Sequence, residues 1–301
     1  MSVSSPKRVL IIRLSAIGDV VFASPLVEAC KRQFPDAEID WLAEGVVRPL
    51  LVGMPSIGRV ILWPRQEWRA LWEEKRLVAL FKAITGFRRE LRSRDYDLVV
   101  DAQGLLKSAF LAWLTGSSQR VGFHSKEPNG LLLTQRYPKQ ITSRISSEYL
   151  GLAEELGWDT HDFKMVLGVT DEDHSRAEAI ATPMSYIAVA PFTTRPQKHW
   201  TLAHCRSRIQ PLVAQGHTVA CLGGPADRSE AAEMLQGLNA ESIVENLNYI
   251  PDIVTSKHLQ FYLNNMYISS SNPPDGNSDQ IIKFVETRLM KIKSSGQRKK
   301  L

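Results

Sequence analysis

Val9-Leu10-Ile11-Ile12, followed at once by Arg13-Leu14-Ser15-Ala16-Ile17-Gly18-Asp19, is the stretch whose reading decides the fold. The apolar run reads as a parallel strand buried on both faces, and the residues after Asp19 are able to begin a helix. A buried strand that ends in a Ser/Gly turn, with a carboxylate at the following helix start, is where open α/β sheets place their chemistry. Neither G-x-G-x-x-G nor G-x-x-x-x-G-K-[ST] follows the strand, which argues against hydride transfer and against a P-loop enzyme. One glycine and one acid stand there instead. Such a turn lets a substrate hydroxyl approach while the carboxylate of Asp19 accepts its proton. The same position also suits an ordinary helix cap, so both readings remain open here.

Outward from this point the strand and helix signals alternate. Residues 23–33 read as a helix stopped before Pro35. Glu38 to Leu42, Arg59 to Trp63, Asp97 to Asp101 and Arg120 to Phe123 read as further strands, with helical pattern most evident from Trp68 to Arg94. Alternation of this kind implies a parallel, doubly wound sheet. Around residues 150–185 the pattern is helical and then polar, with Asp171-Glu172-Asp173 opening a helix, and the domain junction is expected there. A second series then runs through strand Tyr186 to Ala190, helix Ala203 to Gln215, strand His217 to Leu222, the turn Gly223-Gly224-Pro225 and helix Asp227 to Leu238. After about Asn246 the rhythm fails. Asn264 to Ser278 is rich in Asn, Ser, Pro, Asp and Gly, and only Gln280 to Lys293 regains a helical period. The expected units are residues 1–165, a partial second domain over 166–248, and a divergent, partly disordered tail over 249–301.

A chain of 301 residues exceeds the usual size of a single core, which also favours two domains. With 44% hydrophobic and 23% charged residues the composition is that of a soluble globular protein. No apolar run nears the ~20 residues needed to cross a bilayer. The N-terminal run is too short for a secretory segment, so the expected location is cytoplasmic. Cys30, Cys205 and Cys221 have no metal or disulfide spacing and read as buried thiols. None of the seven histidines shows ligand spacing, and no metal or cofactor is expected. The net charge of +5 suggests an acidic partner, either phosphates or an anionic membrane surface.

Three further stretches carry candidate chemistry. Pro191 to Trp200 follows a strand, and its paired hydroxyls at Thr193 and Thr194 with the charge of Lys198 suit a phosphate; a polar loop with Trp200 tucked inside is the plain alternative. Asp101-Ala102-Gln103-Gly104-Leu105-Leu106-Lys107-Ser108 lies at another strand end on the same sheet edge, where Asp101, Gln103 and Lys107 could meet a polar ligand or simply open a helix. From Arg65 to Arg94 nine basic residues alternate with apolar and aromatic ones, which suits an anionic amphiphile at a membrane surface and equally a charged solvated face.

Taken together, Ser15-Ala16-Ile17-Gly18-Asp19, Asp101 to Ser108, Thr193 to Trp200 and Gly223-Gly224-Pro225-Ala226-Asp227 resemble the bacterial ADP-heptose:lipopolysaccharide heptosyltransferases of glycosyltransferase family 9, heptosyltransferase I type. Order and spacing agree over roughly residues 8–245. The resemblance implies a GT-B-like α/β fold, two Rossmann-like domains facing across a cleft. It implies an inverting transferase with Asp19 as general base, ADP-heptose as donor and Kdo-lipid A as acceptor. Ser15, Ala16, Ile17, Gly18, Arg65, Arg69, Gln103, Lys107 and Arg136 would hold the acceptor. Thr193, Thr194, Lys198, Gly224 and Asp227 would hold the donor. Peripheral contact with the cytoplasmic face of the inner membrane is implied, and nucleic acid is not among the partners. The family's Asp-Thr-Gly-x-x-His donor motif has no match between Asn246 and Leu301. The second domain is therefore expected to be incomplete. The alternatives are a catalytically impaired remnant that binds lipopolysaccharide precursor, or a related transferase using another nucleotide sugar.

Overall fold

The computed structural model describes residues 5–142, 146–173, 175, 187–189, 191–192, 201–217, 219–221 and 227–238. These fall into two units, one ending by residue 175 and the other beginning at 187.

The first unit is built on a six-stranded sheet in the order β3-β2-β1-β4-β5-β6, formed by β1 (Arg8–Ile12), β2 (Glu38–Ala43), β3 (Arg59–Leu62), β4 (Leu98–Asp101), β5 (Gln119–Phe123) and β6 (Gln135–Tyr137). Every pairing is parallel. β1 shows why the opening stretch is apolar throughout. Val9 and Ile11 enter one core while Leu10 and Ile12 enter the other, so a two-residue period meets hydrocarbon on both sides. The first face is covered by α1 (Ile17–Ala23), α2 (Pro25–Gln33) and α6 (Ser147–Glu155), which contribute Val20, Leu26, Cys30, Tyr149 and Leu152. The second is covered by α3 (Arg65–Glu73), α4 (Leu77–Arg92) and α5 (Leu106–Leu114), through Trp68, Phe87, Leu91 and Leu111.

Several boundaries differ from the sequence reading for identifiable reasons. The helix expected over 23–33 is two helices that meet at Ser24. Pro25 supplies no N–H and starts the second, while the Ser24 hydroxyl donates to Val21 O at 2.8 Å and accepts from Val166 N at 2.9 Å. The helical run expected from Trp68 to Arg94 is also two helices, reversed at Lys75, whose φ is +57°, with Arg76 N donating to Leu71 O at 2.9 Å. β6 was not foreseen. Its three residues Gln-Arg-Tyr form a polar sheet edge and leave no apolar signature.

Residues 163–170 pack on the first unit: Phe163 and Leu167 lie in its core, and Gly168 N donates to Leu50 O at 2.8 Å. The helical turn at Asp171–Asp173 opens with reciprocal capping, since Asp173 accepts from Thr170 N and its own N–H donates to the Thr170 hydroxyl. In the second unit β7 (Ile187–Val189) pairs in parallel with β8 (Val219–Cys221), beside α7 (Leu202–Ala214) and α8 (Arg228–Leu235). Its core gathers Cys205, Ile209, Val219, Cys221, Ala231, Met234 and Leu235. The loop and helix expected after Asn246 lie outside the described residues.

Candidate active site

In an open parallel sheet, ligands bind beyond the carboxyl ends of the strands where the order of strands reverses. Here that point lies between β1 and β4, because β2 and β3 run to one side of β1 while β4, β5 and β6 run to the other. The segments leaving β1 and β4 are therefore the Ser15 to Asp19 turn and the Asp101 to Ser108 turn, the two strand-end motifs picked out in the sequence.

Asp19 occupies the first turn of α1, and its side chain is 45% exposed. Its Oδ2 accepts from Ala16 N at 3.2 Å and meets Arg13 Nη2 at 2.5 Å. Both anchors hold the same oxygen. Among the described residues no hydrogen bond engages the other oxygen, Oδ1. The helix-cap and reactive-carboxylate readings are thus compatible, one on each oxygen.

Arg13 is the residue that sequence reasoning passed over. It is 6% exposed, and its Nη1 reaches across to Ala102 O at 3.3 Å and Gln103 O at 3.5 Å. The guanidinium also lies 5.9 Å from the centre of the Tyr149 ring. Its own carbonyl accepts from Trp41 Nε1 at 3.0 Å. A cation buried at the end of an apolar strand must find partners, and that rule was the available signal.

Gln103 returns the connection. Its Oε1 accepts from Leu14 N at 2.9 Å, so this side chain, 9% exposed, ties the two turns together. Asp101 does not face outward either. It is fully buried, with Oδ1 accepting from Gln103 N and Gly104 N, both at 3.0 Å, and Oδ2 accepting from the Ser108 hydroxyl at 3.0 Å. Burial pushes its carboxyl up to about 6, against the lowering by these three donors and by Arg13. Asp101 thus shapes the turn. Gly104 is required there, for its φ is +71° and an added Cβ would come within 3.2 Å of Phe123 Cβ.

Arg65 and Lys107, expected separately, share one acid. Arg65 Nη1 meets the Glu44 carboxylate at 3.2 Å and Lys107 Nζ meets it at 4.0 Å, and each cation lies 5.9 Å from the Trp63 ring centre. Both belong to the carboxyl edge of the sheet, after β3 and at the start of α5. Arg69 is paired instead along its own helix, with Glu73 at 2.7 Å. Arg136 stands on edge strand β6 with its guanidinium folded over Gly130, where a Cβ would come within 2.5 Å of Arg136 Cζ. β6 is three strand positions from β1, about 14 Å. Ser15, Ala16, Ile17 and Gly18 are partly or well exposed around Asp19. Asp227 stands at the N-terminus of α8. Thr193, Thr194, Lys198 and Gly224 lie outside the described residues. Among the described residues no three His, Cys, Asp or Glu side chains converge as metal ligands would.

The family model for glycosyltransferase family 9 (heptosyltransferase) matches residues 84–250. Lipopolysaccharide heptosyltransferase 1 of Pseudomonas aeruginosa is 28% identical over 245 residues, which cover 80% of this chain and 68% of that protein. Lipopolysaccharide heptosyltransferase 1 of Escherichia coli K12 is 28% identical over 242 residues, or 76% of this chain and 72% of its own. Among solved structures, E. coli heptosyltransferase WaaC with ADP matches at a TM-score of 0.64 and 25% identity, covering 78% of this chain and 74% of that one. The fold is accordingly α/β and GT-B-like.

Proposed function

Because the chain belongs to glycosyltransferase family 9, the heptosyltransferases, it is a glycosyltransferase, and we propose that it moves heptose from ADP-heptose to the Kdo of Kdo-lipid A, with inversion. Asp19 is the general base of this reading. The observation that carries it is the division of labour on that side chain: Oδ2 is fixed by Arg13 and the Ala16 amide, while Oδ1 takes no hydrogen bond among the described residues and the group is solvent-accessible. An acceptor hydroxyl at Oδ1 gives up its proton as its oxygen bonds to the anomeric carbon. The carbon–oxygen bond to ADP breaks with the electron pair leaving on the diphosphate. A base fixed on one oxygen needs little reorganisation to receive the proton on the other.

Arg65 and Lys107, supported by Trp63 and Glu44, supply positive charge on the same sheet edge for an acidic acceptor, with Arg136 farther along it. Thr193, Thr194 and Lys198 are assigned the diphosphate by resemblance, and Gly224 and Asp227 the remainder of the donor. The protein is proposed to work at the periphery of the inner membrane, where a lipid acceptor resides. The test is a mass-spectrometric transfer assay with ADP-heptose and Kdo-lipid A. Turnover that is abolished in a folded Asp19→Ala variant supports the reading, and no turnover by the wild type at any donor concentration rejects it. Because no Asp-Thr-Gly-x-x-His motif stands between Asn246 and Leu301, one second reading is a protein that binds acceptor without donor. Calorimetry that finds acceptor binding and no ADP binding would select it.

A further inference from the structure

α3 and α4 form a helical pair that packs on the core through one face, with Leu80, Ala83 and Ile84 of α4 partly buried against it. Trp68 on α3 packs edge-on against Phe87 on α4, with ring centres 5.6 Å apart, and Leu91 completes the buried contact. Toward the turn that joins the helices, every residue from Trp72 to Val78 is exposed. Leu80 carries that packing to within one helical turn of Leu77, and the side chains from Trp72 to Val78 project beyond it.

This exposed end is apolar. Trp72, Leu77, Val78 and Phe81 are between 57% and 72% exposed. On α4, Leu77 and Phe81 are one turn apart and Val78 flanks them, so the three share a face, and Trp72 sits at the other side of the turn. Soluble proteins seldom present neighbouring large side chains of this kind without a partner.

Charge indicates which partner. The pair carries eight basic residues (Arg65, Arg69, Lys75, Arg76, Lys82, Arg88, Arg89 and Arg92) against four acidic ones. Two of the acids are neutralised nearby, Glu73 by Arg69 at 2.7 Å and Glu74 by Arg76 at 3.3 Å. Lys75 at the turn and Lys82 beside Phe81 have no ion pair among the described residues. Large apolar side chains that include a tryptophan, set among unpaired lysines, match the boundary between acyl chains and anionic headgroups. A second protein molecule would not demand this excess of positive charge.

We infer that the α3–α4 end is a membrane-docking surface that inserts Trp72, Leu77, Val78 and Phe81 into an anionic bilayer while Lys75 and Lys82 meet its phosphates. This deepens the membrane-periphery part of the proposed function and is independent of heptose transfer. Among the described residues no helix is long and apolar enough to cross a membrane, so the contact is of the interfacial kind.

The test is co-sedimentation of the full chain with phosphatidylglycerol vesicles and with phosphatidylcholine vesicles, with neither sugar donor nor acceptor present. Binding is expected to the former, to weaken severalfold at 0.5 M salt, and to fall about tenfold for each of Trp72→Ser and Phe81→Ser. Lys75→Glu with Lys82→Glu should lower binding to phosphatidylglycerol and leave any residual binding to phosphatidylcholine unchanged. Unaltered circular dichroism and melting of these surface variants excludes misfolding. Wild-type binding that fails on anionic vesicles, or that survives both serine substitutions, overturns the inference. So does a light-scattering mass showing a dimer that the same substitutions dissociate, because a second copy would then be the occupant. Each of these readouts is unaffected by failure of the transfer assay, and the transfer assay with soluble acceptor is unaffected by failure here.

Discussion

Replacing Arg13 by Met tests the link between fold and chemistry at the β1–β4 junction. The substitution keeps an unbranched chain of similar length and removes the guanidinium. Four interactions go with it: the ion pair to Asp19 at 2.5 Å, the hydrogen bonds to Ala102 O and Gln103 O at 3.3 and 3.5 Å, and the approach to the Tyr149 ring at 5.9 Å. Because the Asp19 side chain is 45% exposed, solvent screens the ion pair to about 1 kcal/mol. Each long carbonyl contact contributes about 0.5 kcal/mol and the ring contact about as much. Relief of the buried charge's desolvation offsets part of this sum, leaving a net loss of about 1–2 kcal/mol in urea denaturation. Catalysis should suffer more than stability. Among the described residues Asp19 then keeps only the Ala16 amide as an anchor, so kcat should fall about 10–100-fold while KM for both substrates stays within about threefold. Arg13→Lys, which retains the charge without the fork, should recover part of kcat. A folded Arg13→Met enzyme with kcat within twofold of wild type would refute the positioning role.

Three further outcomes follow from the same geometry. The carboxyl of Asp101, raised from 3.8 to about 6, binds its proton more tightly in the folded chain than in the unfolded one. Its contribution to stability therefore declines as pH rises from about 4 to 6, by up to ~3 kcal/mol, and is lost at neutral pH. The stability difference between wild type and Asp101→Asn, measured by urea titration across that range, should show the decline; a flat difference contradicts it. Gly104→Ala forces a side chain into φ +71° and against Phe123, and should cost about 1–2 kcal/mol by thermal melting, so a neutral or stabilised variant would show the turn to be more yielding than drawn. Burial pushes the Cys30 thiol up to about 12 and Cys221 up to about 11, and raises Cys205 as well. Native protein at pH 8 should thus leave all three thiols unlabelled by a disulfide reagent until urea is added, and rapid labelling of any one would contradict its buried placement.

Much of the first unit was legible because its strands are buried on both faces. Runs such as Val9 to Ile12 and Leu98 to Val100 admit few other readings, and their spacing leaves room for crossover helices. The place of Asp19 in the first turn of a helix was legible for a related reason, because an apolar strand ends just before it. The edge strand β6 was not, since its exposed residues carry no hydrophobic period. Nor was the break at Ser24, where local helical pattern on both sides hides a corner pinned by Val166, 142 residues away.

What the sequence determined by itself, then, is the alternation of strands and helices and the identity of the turns that could carry chemistry, because hydrophobic period and turn residues are local properties. The tertiary structure alone decided how those turns divide their work. Asp101, Gln103 and Asp19 look alike in a list of polar residues at strand ends. Strand order brings Arg13 against the far turn, buries Asp101 beneath it and sets the Gln103 carbonyl on Leu14, while Arg13 and the Ala16 amide hold Asp19 by Oδ2. The Arg13 and Gln103 assignments depend on contacts some ninety residues apart in the chain, and no local pattern encodes them.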